Sequence, residues 1–300
     1  EKYGGEKNLL TIKTRSWGLE PFLNWRHSFN VNDRTLLVIP SIGRSDNIIT
    51  LKNNLCENLK DIDIKIITNT DQVEDYKNKY DSKIEVVGCP LKGIGITRYW
   101  ILDRYSKEYD YIVMVDDDIL ELNRVRGVGD DKVLTSFDLN TLIVEMRHTL
   151  DKRKAYFGGI NLCPNVFYAK DQISNKLKYI SGAIQIHRSG DKPIPKTSHR
   201  HFEDYVYNIE YFKRDGIIVR WDGVLVKTNN YNPVGGICSD YGSLELRLKD
   251  AEIVADLIVK KYGENIVKKV YKKKSSRNPE CVNLRLNHHY RNIYKQNKIF

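Results

Sequence analysis

The chain has little that could staple or anchor it. Its five cysteines, Cys56, Cys89, Cys163, Cys238 and Cys281, are odd in number and widely scattered, with no Cys-x-x-Cys pair. That argues against a disulfide framework or a cysteine zinc site and suits a reducing, cytoplasmic compartment. No apolar run approaches the ~18 residues that a membrane helix needs, and no signal-peptide pattern stands at the start. No internal repeat is visible. A net positive charge is missing from most of the chain as well, because the two signs balance over the first 259 residues. Residues 260–300 hold twelve Lys or Arg against two Glu, so the whole net charge of +10 sits there.

What is present is an ordinary globular balance. The 300 residues, 41% hydrophobic and 29% charged, allow one large α/β domain or two small ones. The basic tail is interleaved with Tyr271, Tyr290, Tyr294, His288 and His289. Cations for phosphates and flat rings for bases are what a polyanion surface needs; a solvated basic helix face is the alternative. Lys268, Lys269, Lys272, Lys273, Lys274 and Arg277 are the candidate acceptor contacts.

Apolar runs at Thr35–Ile39, Ile64–Ile67, Ile84–Val87 and Tyr111–Val115 read as buried strands. Helical stretches separate them: Ser45 to Leu59, capped by Ser45 or Asp46; residues 72–80; and a helix from Gly93-Ile-Gly95 to about Ser106. This alternation predicts a mostly parallel sheet flanked by helices, with ligands bound outside the carboxyl ends of the strands. Further helices are expected over Leu139–Lys152, from His201 to about Arg214 and over Leu244–Lys261. Further strands are expected at Ala155–Gly159, Tyr179–Ile186, Gly216–Arg220 and Gly223–Lys227. The organisation is an N-terminal extension (1–33), a catalytic domain (34–240) and a helical, basic C-terminal segment (241–300).

Asp116, Asp117 and Asp118 end the most apolar of these strands. Clustered carboxylates repel and are costly to bury unpaired. A hard divalent cation, Mg²⁺ or Mn²⁺, would neutralise them and keep a substrate phosphate in its shell. A solvated acidic turn is the bland alternative. Asp116 and Asp118 fit the Asp-x-Asp pattern of a metal–diphosphate clamp. Pro40, Ser41, Gly43 and Arg44, then Asn69 and Asp71, fall on the same sheet edge. Glu203-Asp204 is the candidate general base, against the alternative of an acidic first turn facing the helix dipole. Arg98, behind Gly93 and Gly95, is either a phosphate contact or a surface residue. Asn229, Asn230, Tyr231 and Gly235-Gly236 could form a lid, and His187, His199, His201, His288 and His289 are candidates for a third metal ligand or a phosphate contact.

The order Val38-Ile-Pro-Ser-x-Gly-Arg44, Gly93-Ile-Gly-Ile-Thr-Arg98, Val113-Met-Val-Asp-Asp-Asp-Ile119 and Glu203-Asp204 resembles the GT-A glycosyltransferase fold. More narrowly the chain resembles the TET-associated glycosyltransferases of phages, relatives of the base J glucosyltransferase. The resemblance implies nucleotide contacts at Ser41, Gly43, Arg44 and Asp71, ribose and metal–diphosphate contacts at Asp116 and Asp118, and a catalytic base at Asp204. It also implies an inverting transfer of a hexose, glucose from UDP-glucose, onto 5-hydroxymethylpyrimidine in double-stranded DNA, in a host cytoplasm. A protein or polysaccharide acceptor, or an inactive nucleic-acid-binding module of the same fold, are the other readings.

Overall fold

The computed structural model describes residues 33–80, 84–127, 129–162, 165–229, 243–272 and 281–290. Nearly all of the N-terminal extension and the far tail lie outside them. So do Lys273, Lys274 and Arg277, and Asn230, Tyr231 and Gly235-Gly236 of the expected lid.

Strands β1 (Thr35–Pro40), β2 (Ile62–Asn69), β3 (Glu85–Cys89) and β4 (Tyr111–Val115) pair in parallel in the order β3-β2-β1-β4. Their connections carry α1 (Ile49–Lys52), α2 (Val73–Lys77) and α3 (Ile94–Tyr105). The sheet continues from β4 through β9 (Ile184–Arg188), β7 (Phe157–Ile160), β10 (Val219–Trp221) and β8 (Ile173–Ser174), of which β9 and β8 run antiparallel to their neighbours. All of β4 is buried because both faces are covered. Leu36, Val38, Ile112 and Met114 face one apolar layer with α3, α5 (Glu203–Asp215) and α6 (Leu244–Tyr262). Leu37, Ile39, Val113 and Val115 face the other, with α4 (Leu139–Arg153) and the segment around α1.

A second sheet, in the order β11-β5-β6, is built from β5 (Ile119–Arg126), β6 (Val133–Ser136) and β11 (Val224–Thr228). It is pinned to α4 by a buried bidentate pair, Arg124 to Glu145 at 2.7 and 2.6 Å, and the Trp221 indole donates to the same carboxylate at 3.0 Å. Its β5 starts one residue past the aspartate triplet, which fixes where the acidic turn points.

Two expectations change. The helix expected over Ser45–Leu59 shrinks to α1, with Ile48 rather than Ser45 or Asp46 at its N-cap and no side-chain cap. Asn53 and Asn54 follow it, both weak helix formers; Asn54 is left-handed at φ 59°, and the Asn53 amide donates to Leu120 O at 2.9 Å instead of extending the helix. The C-terminal segment is helical only as far as α6, which stops at Gly263 (φ 85°). Beyond it β12 (Val267–Lys272) and β13 (Cys281–Leu286) form an antiparallel hairpin packed on α6. The reason is a period of two in β13: Val282, Leu284 and Leu286 are buried on one face. Both α6 and the hairpin share the apolar layer of α5. Among the described residues no helix is long and apolar enough to cross a membrane.

Candidate active site

The carboxyl ends of β1, β2 and β4 open onto a cleft of about 420 Å³. One wall is the acidic turn, and its geometry is set by α1. The Thr50 hydroxyl donates to Asp116 O at 2.6 Å and accepts from Ile119 N at 3.1 Å, while Thr50 N donates to Asp117 O at 3.2 Å. The three carboxylates have separate fates. Asp117 is buried and satisfied: the Ser41 hydroxyl donates to it at 2.5 Å and Arg44 at 2.6 Å. Burial raises its pKa above the carboxylate range, opposed by Arg44 and Ser41. Asp116 takes a charged bond from Arg98 at 2.7 Å. Asp118, its side chain only 14% exposed, has Arg44 no nearer than 3.9 Å. Burial first, then the charges of Asp116 and Asp117, push its pKa up to about 7. This is an under-neutralised carboxylate facing the cleft. The Ser41–Arg44 loop rests on residues after β2: the Tyr76 hydroxyl accepts from Arg44 N at 3.0 Å and Gln72 Oε1 from Gly43 N at 2.9 Å.

Arg98 is not a surface residue. It is 2% exposed and joins the acidic turn to the opposite wall, with Asp116 at 2.7 Å and Glu203 at 3.5 Å. It also donates to Gly182 O at 3.0 Å. A Cβ on Gly182 would stand 2.4 Å from its guanidinium. The strand expected over Tyr179–Ile186 begins only at Ile184; just before it Gly182 O is taken by Arg98, and Ile180 is held by the Asn208 side chain. A glycine inside a strand-like run is the sequence signal for such close approach.

The opposite wall carries Glu203, buried, and Asp204, half-buried, at the first turn of α5, both lining the cleft. Phe202, just before them, is left-handed at φ 58°. A non-glycine residue in that region is uncommon and strained, a state that clusters at functional sites. The Tyr179 hydroxyl donates to Asp204 Oδ2, and Tyr205 N donates to Oδ1 at 2.9 Å. Burial raises both carboxyls, Glu203 to about 7, with Arg98 opposing the shift. Asn208 locks the segment by accepting from Ile180 N at 3.0 Å and donating to Ile180 O at 2.9 Å.

Gly93 and Gly95 act by absence of a side chain. A Cβ on Gly95 would meet His199 O at 2.1 Å and Glu203 Cβ at 2.8 Å. At Gly93 (φ 102°) it would meet the Arg200 stem at 3.2 Å. The two glycines seat residues 199–203 against α3. Gly95 packs against the segment that carries Glu203 and does not line the cleft.

Of the expected nucleotide contacts, Pro40, Ser41, Arg44, Asn69, Arg98, Asp116 and Asp117 line the cleft with Asp118. Gly43 stands behind the Ser41–Arg44 loop, and Asp71 is exposed on a 3-10 turn outside the cleft. Asn229 reaches the acidic turn, its N–H donating to Asp118 O at 2.9 Å. Among the described histidines only His201 lines the cleft. His187 is a core residue: its Nδ1 pairs with the Tyr211 hydroxyl at 3.0 Å, and burial holds its pKa down at about 3. Lys268, Lys269 and Lys272 lie on β12, away from the cleft, and Lys269 is engaged by Asp256 at 2.6 Å. Tyr179, Arg200, Arg247 and Asn283 also line the cleft and had no local motif to announce them.

The family model of the TET-associated glycosyltransferases matches residues 35–236, from β1 to beyond β11. The chain belongs to this family. Membership and the strand order together identify the fold of this glycosyltransferase as GT-A. No curated protein matches the transferase. Among solved structures a mycobacterial protein matches with a TM-score of 0.50 at 11% identity, covering 90% of this chain and 88% of that one. Glucosyl-3-phosphoglycerate synthase from Mycobacterium tuberculosis, in complex with Mn²⁺, UDP and glucosyl-3-phosphoglycerate, matches with a TM-score of 0.49 at 13% identity, covering 89% and 94%.

Proposed function

We propose that this transferase moves a hexose, glucose from UDP-glucose, onto the hydroxymethyl oxygen of 5-hydroxymethylpyrimidine in DNA, with inversion, in the cytoplasm. The observation that carries this reading is the joining of two chemistries in one cleft: an acidic turn and the Glu203-Asp204 carboxylate pair, bridged by Arg98. Family membership supports the glycosyl transfer. The DNA acceptor rests on the resemblance to the phage enzymes and on the basic C-terminal segment.

The residues present fit a divalent cation. Burial first, then the charges of Asp116 and Asp117, raise Asp118 to about 7, and a cation between Asp116 and Asp118 would relieve that repulsion. No group of three or more candidate ligands occurs among the described residues. Two carboxylates completed by substrate phosphates and water is the manner in which Mg²⁺ is ordinarily held. Asp116 and Asp118 would hold the ion, which when bound neutralises the diphosphate leaving group.

The chain's own groups supply the rest. Ser41, Arg44 and Asn69 bind the nucleotide on the strand ends. The acceptor hydroxyl gives its proton to Asp204 as its oxygen forms a bond to the anomeric carbon. The bond from that carbon to the diphosphate breaks, and UDP leaves with the electron pair. Tyr179 and Tyr205 N–H hold Asp204 in place, and Arg98 ties Glu203 to the donor side. The test is a panel of nucleotide sugars incubated with hydroxymethylated and unmodified DNA, with nucleosides read by mass spectrometry. A hexose-shifted hydroxymethyl nucleoside, absent from unmodified DNA, is expected. Transfer to protein or polysaccharide with none to DNA would replace the acceptor assignment.

A further inference from the structure

The wall opposite the acidic turn also carries positive charge. Arg44 and Arg98 already serve the acidic turn. Arg200, from the loop before α5, and Arg247, from the first turn of α6, line the same cleft as Glu203 and Asp204. Their placement is built. The Arg200 stem crosses α3 over Gly93, where a Cβ would stand 3.2 Å away. Their charges converge on His201, whose pKa is held below its usual value by burial first and then by Arg247 and Arg200. Asp250, on α6, stands 3.6 Å from His201 Nε2. Asn283, on β13, completes the wall, its Oδ1 held by the Tyr205 hydroxyl at 3.4 Å.

We propose that Arg200 and Arg247 form a phosphate subsite that grips the acceptor's backbone beside the target nucleotide. The ligand class is a nucleic-acid phosphodiester, and the inference rests on the DNA-acceptor reading above. A base presented to Asp204 leaves its flanking phosphates at the cleft mouth, and guanidinium forks match phosphate oxygens bidentately. The subsite assigns DNA contact to the start of α6 and the loop before α5. The lysines of β12 are a less direct source, since Lys269 is already engaged by Asp256. It also gives the C-terminal segment a part in the site: α6 and β13 supply Arg247 and Asn283 to the cleft, although the family match ends at residue 236.

The test is equilibrium binding of labelled duplex DNA across a salt series, together with Mn²⁺-dependent UDP binding, for the full chain and for Arg247→Ala, Arg247→Lys and Arg200→Gln. Arg247→Ala should weaken DNA binding about tenfold or more and reduce the slope of log affinity against log salt by about 0.9. UDP affinity should be unchanged, and Arg247→Lys should restore most of the salt slope. DNA affinity and slope unchanged in both Arg247→Ala and Arg200→Gln would overturn the subsite. UDP affinity falling in parallel, in a variant that unfolds at the wild-type urea concentration, would overturn it in favour of a donor-phosphate contact. Unmodified duplex serves as the probe, so an enzyme that never glycosylates hydroxymethyl DNA still reports on the subsite, and the two failures stay separate.

Discussion

The two walls of the cleft are built in opposite ways. On the proposed function one is a donor wall and the other an acceptor wall. The proposed donor wall is local: Ser41 and Arg44, Asn69, and the three aspartates lie at or just past the end of a parallel strand, so the fold delivers them to one edge. The acceptor wall is assembled from Gly93, Tyr179, Gly182, Arg200, the Glu203-Asp204 pair, Arg247 and Asn283, which lie far apart in the chain. The donor wall depends on charge balance within one turn. The acceptor wall depends on packing, on glycines that let segments touch. Substitutions that act through charge should therefore strike donor binding, and substitutions that act through bulk should strike acceptor use.

The largest effect is expected where the walls divide the chemistry. Asp204→Asn should lower kcat by about 10²–10⁴-fold, the usual contribution of a general base, with the Michaelis constant for UDP-glucose unchanged in steady-state assays. Asp118→Ala should then remove most of the metal-dependent UDP affinity, measured by titration calorimetry with and without Mn²⁺. Unchanged affinity would show that Asp118 holds no ion. Gly95→Ala should destabilise the fold by about 1–3 kcal/mol through overpacking, read by urea unfolding, because its Cβ would stand 2.1 Å from His199 O. It should raise the Michaelis constant for DNA more than that for UDP-glucose. Equal effects on both would erase the distinction between the walls.

The smallest effect concerns pH. Glu203 is held up at about 7, against 4.5 ordinarily, by burial first and then by Asp204. A folded value above the unfolded one means that this group stabilises the fold below about pH 4.5, and that the contribution is lost as pH rises through about 7. Glu203→Gln cannot ionise. The stability of the wild type relative to this variant should fall between pH 4.5 and 7, as read by urea midpoints.

These contrasts also explain what the sequence made legible. The four parallel strands, the helix over Glu203–Asp215 and the acidic turn were readable because each is a contiguous pattern, a buried run or a charged tripeptide at its end. The division of labour within the triplet was not readable. Asp117 is set apart by Ser41 and Arg44, 76 and 73 residues earlier in the chain. Arg98 was ambiguous for the same reason, since its burial depends on Gly182 and Asp116 together. The packing role of Gly95 was not readable, because a glycine that admits a phosphate and one that admits a neighbouring backbone look alike in sequence. The β12–β13 hairpin was hidden by lysines, which mask a short apolar alternation. Arg247 carried no signal beyond being one cation on an amphipathic helix.

The central claim is that one wall holds the donor and the other activates the acceptor. Its most direct test is Asp204→Asn assayed twice on the same preparation: Mn²⁺-dependent UDP binding, and hexosylation of 5-hydroxymethylpyrimidine DNA by nucleoside mass spectrometry. Wild-type UDP affinity with transfer lost is the expected result. Full transfer, or loss of UDP binding in the folded variant, would contradict it.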